Sequence, residues 1–187
     1  LFSPINYNFQ TQPHTKVFRW STYRFDFFKF NYKIFYKNFS RSLERSLKLY
    51  SIDENLNILK INFDDKFFLD EYVSWANKNQ KHTNKNFIYN STLLKSLKNN
   101  LSSNYVYEIF ILRNSTEILA SLTVYGNYNY INEAEAIRVN HNKYNNKLSL
   151  HNILRDHILK FCEKNKIKYF DISGFNNNAN ISKKELN

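Results

Sequence analysis

The sequence predicts an α+β fold with a mostly antiparallel sheet and one crossover helix. Apolar and polar residues alternate over 105–112, 117–126 and 129–138, which is the pattern of strands joined by short turns. A helical pattern over 148–165 and an apolar strand at 168–173 follow. Because strand, helix and strand come in succession, the last strand is predicted to lie beside the third.

The first part of the chain is predicted to be mostly helical. Within residues 31–50, Phe35, Phe39 and Leu43 recur every four positions, and lysines and arginines occupy another face. This spacing predicts a basic amphipathic helix, whose charged face is either simply solvated or a surface for phosphate groups. Residues 1–31 contain both prolines of the chain, and we expect them to be an irregular N-terminal segment.

Three shorter elements are predicted between this helix and the three strands. Residues 56–63 alternate like a strand. Asp64 or Asp65 is placed to cap a helix over the following residues, in which Tyr72 is a core position. Ser91 is placed to open another helix.

The charge of the chain favours an anionic partner. The formal net charge is +11 and the pI is about 9.6, which suits nucleic acid, a phosphate-rich cofactor or acidic lipid. Abundant Lys, Asn, Ile, Phe and Tyr are also typical of an AT-rich coding sequence, so the charge alone does not establish a function. The chain begins at Leu1 and has no methionine, so we expect a fragment or a processed chain.

Several site classes find no pattern in the sequence. The histidines and Cys162 lack metal-ligand spacing, and two distant glycines cannot form a dinucleotide or P-loop motif. We therefore expect no metal and no permanently bound cofactor. A single cysteine fits a reducing compartment, so a cytoplasmic location is expected. No apolar run reaches the ~18 residues of a transmembrane segment.

Two places in the sequence are candidates for a binding site. The first is the polar loop and helix start at 140–149, where free backbone N–H groups and lysine charges suit a pyrophosphate. Its candidate binding residues are Asn142, Lys143, Asn146, Lys147 and Ser149. The second is the end of the last strand, from Asp171 onward, where Gly174 is expected to end the strand, either at positive φ or in close packing.

The segment LHNILRDHILKFCEKNKIKYFDISGF, residues 150–175, resembles the FemAB-like aminoacyltransferases and their relatives in the GNAT acyltransferase superfamily. The match is a helix followed by an aromatic residue, Asp171, an aliphatic residue, a small residue and Gly174. The hairpin at 105–125 and the basic helix at 38–52 are similar to elements of the same family.

This resemblance implies a GNAT-like domain over residues 32–176, followed by a loose, asparagine-rich tail at 177–187. It implies an N-acyltransferase that moves an acyl group from acetyl-CoA or aminoacyl-tRNA to a small amine or peptide. The segment KYNNKL, residues 143–148, lacks the glycines of the usual pyrophosphate loop, which favours the aminoacyl-tRNA branch. The strands that normally follow the glycine in this family are absent or reduced here, so the sheet could be incomplete.

In such a transferase, a backbone N–H on a splayed strand would polarise the reacting carbonyl. Glu133 or Glu135, on the strand before the loop, would be the general base, and Asp171 could orient the acceptor. Each glutamate could equally be an ordinary surface carboxylate.

Two other readings remain open. A basic, aromatic-rich chain also fits an RNA-binding protein, such as a ribosomal protein in an organellar matrix. The second alternative is a protein with a GNAT-like fold that lacks activity and serves as a structural component.

Overall fold

The computed structural model describes residues 3–7, 20–28, 41–80, 88–139 and 149–176. These residues form seven strands in one sheet and four helices. The strands are β1 (Ser3–Tyr7), β2 (Trp20–Asp26), β3 (Asn57–Lys60), β4 (Tyr105–Arg113), β5 (Ile118–Asn127), β6 (Tyr130–Arg138) and β7 (Tyr169–Asn176). The helices are α1 (Arg41–Ile52), α2 (Lys66–Gln80), α3 (Ser91–Asn100) and α4 (Leu150–Lys164).

The sheet has the predicted architecture. Its strand order is β1-β2-β7-β6-β5-β4-β3, and every neighbouring pair is antiparallel except β6 and β7. The antiparallel strands β4, β5 and β6 follow one another as a meander, and α4 connects β6 to the parallel strand β7. The α+β class, the mostly antiparallel sheet and the crossover helix are therefore confirmed.

Side-chain caps explain where two of the helices begin. The Oδ1 atom of Asp65 accepts a hydrogen bond from the N–H of Phe68 at 3.1 Å, so Asp65 caps α2. At α3, Oδ1 of Asn90 accepts from the N–H of Thr92 at 2.8 Å. The predicted start of α3 at Ser91 is correct, and the capping residue is the one before it.

The sheet is covered on both faces. On one face, α1 and α4 pack over a core that includes Leu154, Ile158 and Phe170. On the other, α2 and α3 bury Tyr72 and Leu94 against the middle of the sheet. Within the described part of the chain, the helices are too short or too polar to cross a lipid bilayer.

The prediction that residues 1–31 are irregular is wrong for two segments, which form β1 and β2 of the sheet. Pro4 predicts irregular structure, but it lies in β1, which is an edge strand of the sheet that the described residues form and pairs there with β2. Edge strands tolerate proline because one row of their N–H groups has no ladder partner. Phe25 of β2 is buried and stacks on Phe170 with ring centroids 6.1 Å apart, so β2 belongs to the core. Residues 29–40 and the predicted loose tail at 177–187 lie outside the described residues.

The prediction that Gly174 ends the last strand is wrong, because β7 continues to Asn176. The register pairs Ser21–Phe175 and Tyr23–Ile172 enclose one residue on β2 and two on β7. The extra residue makes a β-bulge, and bulges are places where glycine is often required. Gly174 is one of the two enclosed residues, and the predicted positive sign of its φ angle stays a prediction.

Candidate functional site

The parallel strands β6 and β7 separate after a short ladder. Their register pairs run from Tyr130–Tyr169 to Asn132–Asp171 and end there. Beyond this point β6 continues along β5, and β7 continues along β2. The two strands therefore part in the middle of the sheet, and α4 lies on the chain segment that connects them.

A β-bulge in β6 places Glu133 and Glu135 on opposite faces of the sheet. Thr123 pairs with Glu135 and the next residue, Val124, pairs with Glu133, so β6 carries one extra residue at Ala134. Strict alternation would have put both carboxylates on one face. The bulge instead turns Glu133 toward α4 and Glu135 toward α2, and each has a different partner.

Glu133 is held by a bidentate ion pair. Arg155 of α4 donates from Nε to Oε2 at 2.8 Å and from Nη2 to Oε1 at 2.7 Å. Asn152 accepts a hydrogen bond from the third nitrogen, Nη1, at 3.1 Å. The Glu133 residue is only 6% exposed. Because both of its oxygens are engaged by one guanidinium, Glu133 is poorly placed to accept a proton from a substrate.

Glu135 is half-buried and faces α2. Its Oε1 atom accepts a hydrogen bond from Nε2 of Gln80 at 2.8 Å. Gln80 is the last residue of α2, and it is buried. The donor at this contact is a neutral amide.

Asp171 lies at the last register pair before the strands part. It is 2% exposed, and the hydroxyl of Tyr130 donates to its Oδ2 atom at 2.5 Å. Its Oδ1 atom is buried and has no hydrogen-bond partner among the described residues. Since the neighbouring Phe170 belongs to the core under α4, alternation puts Asp171 on the opposite face, the one that carries α2 and α3.

The predicted binding loop is only partly described. Asn142, Lys143, Asn146 and Lys147 lie outside the described residues. Ser149 precedes α4, and its side chain makes no capping hydrogen bond. Its backbone N–H donates to Oγ of Ser46 on α1 at 3.0 Å, and Ser46 is itself buried. This N–H group is therefore used to fasten the start of α4 to α1.

His151 fastens the same helix start to β6. Its Nε2 atom lies 3.2 Å from the carbonyl oxygen of Ile137. A carbonyl oxygen only accepts, so Nε2 carries the proton of the neutral ring. Burial lowers the pKa of His151, because desolvation disfavours the charged imidazolium.

The pH dependence of stability should reflect His151. Its pKa in the folded state is below the unfolded value of about 6.5, so the unfolded state binds the proton first as pH falls. The free energy of unfolding should therefore fall between about pH 7.5 and pH 5.5, and less so in His151→Gln, whose amide can still donate to Ile137. Urea unfolding at each pH measures this difference, and identical profiles for the two proteins would contradict it.

Other site classes have little support in the described part of the chain. There, no group of three or more His, Cys, Asp and Glu side chains is arranged to hold a metal ion. Cys162 is buried on α4, and burial raises the pKa of its thiol, which fits a packed core residue rather than a nucleophile.

Sequence reasoning missed Tyr130 and Arg155. Tyr130 lies 41 positions before Asp171, and Arg155 lies 22 positions after Glu133. The helical pattern of α4 predicts that Arg155 lies on a helix, but it does not predict the direction of the side chain. The Tyr130–Asp171 contact depends on the parallel register of β6 and β7, which no local pattern encodes.

Comparison with known proteins gives structural matches alone. No family model and no curated protein sequence matches the chain. The C-terminal domain (DUF2156) of a putative lysylphosphatidylglycerol synthetase from Agrobacterium fabrum is similar, with a TM-score of 0.60 and 12% identity, over 84% of this chain and 47% of that one. L-PGS from Bacillus licheniformis is similar with a TM-score of 0.57 and 11% identity, over 87% of this chain and 49% of that one. An aminoglycoside acetyltransferase from an uncultured soil metagenomic sample matches with a TM-score of 0.43 and 19% identity, over 61% of this chain and 74% of that one.

These matches concern the fold. At 12% and 11% identity, the first two matches show a likeness of fold alone, and they do not favour the FemAB-like branch. The chain spans about half the length of each of these two proteins.

Proposed function

We propose that the chain is an acyl- or aminoacyltransferase domain whose reaction takes place where β6 and β7 part. The observation that carries this proposal is the end of the parallel ladder at Asn132 and Asp171, after which β6 pairs with β5 and β7 with β2. Parted strands leave backbone groups free of ladder pairing at a place where a substrate carbonyl can lie. The fold likeness to a domain of a putative lysylphosphatidylglycerol synthetase supports an aminoacyl donor.

The reaction assigned to this place is nucleophilic acyl transfer. An acceptor amine attacks the carbonyl carbon of a thioester or tRNA ester, so that a C–N bond forms and the C–S or C–O bond breaks. Backbone N–H groups of β6 beyond Asn132 would stabilise the charge that develops on the carbonyl oxygen. The amine loses a proton to a base, and the leaving thiolate or ribose oxygen takes up a proton.

The three carboxylates have different roles in this proposal. Glu133 holds α4 to β6 through Arg155 and is not the base. Glu135 and Asp171 share the face of the sheet that carries α2 and α3. Glu135 is the proposed proton acceptor, and Asp171 the residue that positions a substrate.

Acetyl-CoA and aminoacyl-tRNA both remain possible donors, and a small amine or a peptide remains the proposed acceptor. The net charge of +11 suits either polyanionic donor. The FemAB-like assignment is part of this proposal, since the loop without glycine favours a tRNA donor over CoA. The two synthetase structures are not named as ribosomal proteins, so they give no support to the ribosomal alternative.

A transfer assay on the full chain tests the proposal. The protein is incubated with amine acceptors and either labelled acetyl-CoA or a mixture of labelled aminoacyl-tRNAs. Label should appear on an amine with one donor, and Glu135→Gln should lower the rate by about 100-fold if Glu135 is the base. Absence of transfer from both donor classes to every amine would contradict the proposed function.

Donor binding should depend on the loop before α4. Replacing Lys143 and Lys147 by alanine should weaken donor binding several-fold at low salt and less at high salt, because screening removes charge attraction. The matched control replaces Lys164 and Lys168, exposed at the other end of α4, and should leave binding nearly unchanged. Equal effects of the two double variants in a filter-binding assay would remove the loop from the site.

A further inference from the structure

Asp171 combines deep burial with an unused acceptor. Only 2% of the residue is exposed, and Oδ1 has no hydrogen-bond partner among the described residues. Its other oxygen, Oδ2, accepts from the Tyr130 hydroxyl at 2.5 Å. Buried carboxylates normally have both oxygens hydrogen-bonded or ion-paired, so the free Oδ1 calls for an explanation.

The unpaired oxygen belongs to a carboxylate whose other oxygen has a short hydrogen bond. The 2.5 Å separation from the Tyr130 hydroxyl is at the short end of the range for O–H···O hydrogen bonds. Arg24 is the register partner of Asp171 on β2, and its guanidinium lies 4.7 Å from the ring centroid of Tyr169. Among the described residues, no side chain forms an ion pair with Asp171.

We propose that Asp171 and Tyr130 form a subsite for a primary ammonium group of a substrate. Tyr130 occupies Oδ2, so a planar guanidinium cannot engage both oxygens in the bidentate geometry that it prefers. An ammonium group is a compact charge that needs a single acceptor in line with one N–H, and Oδ1 provides it. A neutral amide could also donate an N–H, but it would bring no positive charge to the carboxylate.

The position of the subsite connects it with the proposed reaction, and its role there rests on that proposal. Asp171 belongs to the last pair of the parallel ladder, directly before β6 and β7 part. Two ammonium groups would come to this place in aminoacyl transfer: the α-ammonium of the aminoacyl donor, and the protonated amine of the acceptor. The chemistry of the subsite is the same for both.

Binding of small probes to the full chain tests the inference without any transfer reaction. Glycinamide carries an α-ammonium beside an acyl group, ethylamine carries an ammonium alone, and N-acetylglycinamide is neutral. Each probe is titrated into the wild type, Asp171→Asn and the control Asp156→Asn, and binding is followed by NMR chemical shifts. Asp156 is another buried aspartate, on α4 and paired with Lys160 at 2.8 Å, so its variant removes a buried carboxylate elsewhere.

We expect the two cationic probes to bind the wild type and Asp156→Asn with similar affinity. Binding to Asp171→Asn should be weaker by on the order of tenfold or more, because a charge-assisted hydrogen bond is lost. Tighter binding of glycinamide than of ethylamine would assign the subsite to the donor, and the reverse order to the acceptor. Equal binding of N-acetylglycinamide, or unchanged binding to Asp171→Asn, would overturn the inference.

Tyr130→Phe provides a second test if Asp171→Asn does not fold. Removing the hydroxyl frees Oδ2, so the preference of the wild type for ethylamine over methylguanidine should shrink or reverse. An unchanged preference would also overturn the inference. If Asp171→Asn retains transfer activity and binds the probes as the wild type does, the subsite alone is refuted. If the wild type binds the probes as expected but transfers no acyl group, the proposed function alone is refuted.

Discussion

Replacing Gly126 with alanine is expected to lower the free energy of unfolding by about 3 kcal/mol or more. Gly126 lies near the end of β5 with φ of +156°. A Cβ atom at this position would lie 2.7 Å from the Cα of Ile131 and still closer to the carbonyl oxygen of Tyr130. Both obstacles are backbone atoms of the paired strand β6, so no side-chain rotation can relieve the clash.

The same substitution should also affect the Tyr130–Asp171 subsite. Relief of the clash requires the start of β6 to move, and Tyr130 is the first residue of that strand. The hydroxyl of Tyr130 would then lose its alignment with Asp171. We expect ethylamine binding to weaken even at temperatures where the variant is folded.

Urea unfolding and probe titration together measure this prediction. The control is Tyr128→Ala in the same turn, where an exposed side chain is removed and the change in stability should be within about 0.5 kcal/mol. A stability loss for Gly126→Ala no larger than that of the control would contradict the proposed close approach of β5 and β6.

Most of the sheet could be predicted because the sequence patterns that specify its strands are local. The alternation in β4 and β5 and the turn between them follow directly from strand periodicity, and the stripe of Leu154 and Ile158 follows from helical spacing. The parallel placement of β7 follows from the crossover rule. Strands β1 and β2 were not predicted, since Pro4 signals irregular structure unless the strand is known to lie at an edge.

The arrangement of the site could not be predicted, because it depends on register. A single extra residue at Ala134 decides whether Glu133 and Glu135 share a face, and alternation alone assigns them to the same one. The bulge beside Gly174 likewise depends on how β7 pairs with β2. Candidate carboxylates were therefore found from residue type, whereas their partners and directions needed the structure.

Replacing Arg155 with methionine should cost about 2 to 3 kcal/mol in the free energy of unfolding. The change leaves the Glu133 carboxylate, whose side chain is 7% exposed, without a countercharge between β6 and α4. The Arg155 side chain is 29% exposed, so water can partly replace the lost partner and the cost should stay below that of a fully buried pair. Urea unfolding near neutral pH measures the effect.

The double variant Glu133→Met with Arg155→Met separates charge from packing. Two methionines fill a similar volume without a buried charge, so stability should return to within about 1 kcal/mol of the wild type. Arg113→Met, which breaks the more exposed pair with Glu71 at 3.3 Å, should cost less than about 1 kcal/mol. A double variant as unstable as Arg155→Met alone would mean that Glu133 stabilises the fold by more than its ion pair. If transfer activity survives in the restored double variant, Glu133 acts by holding α4 against β6 and not as a base.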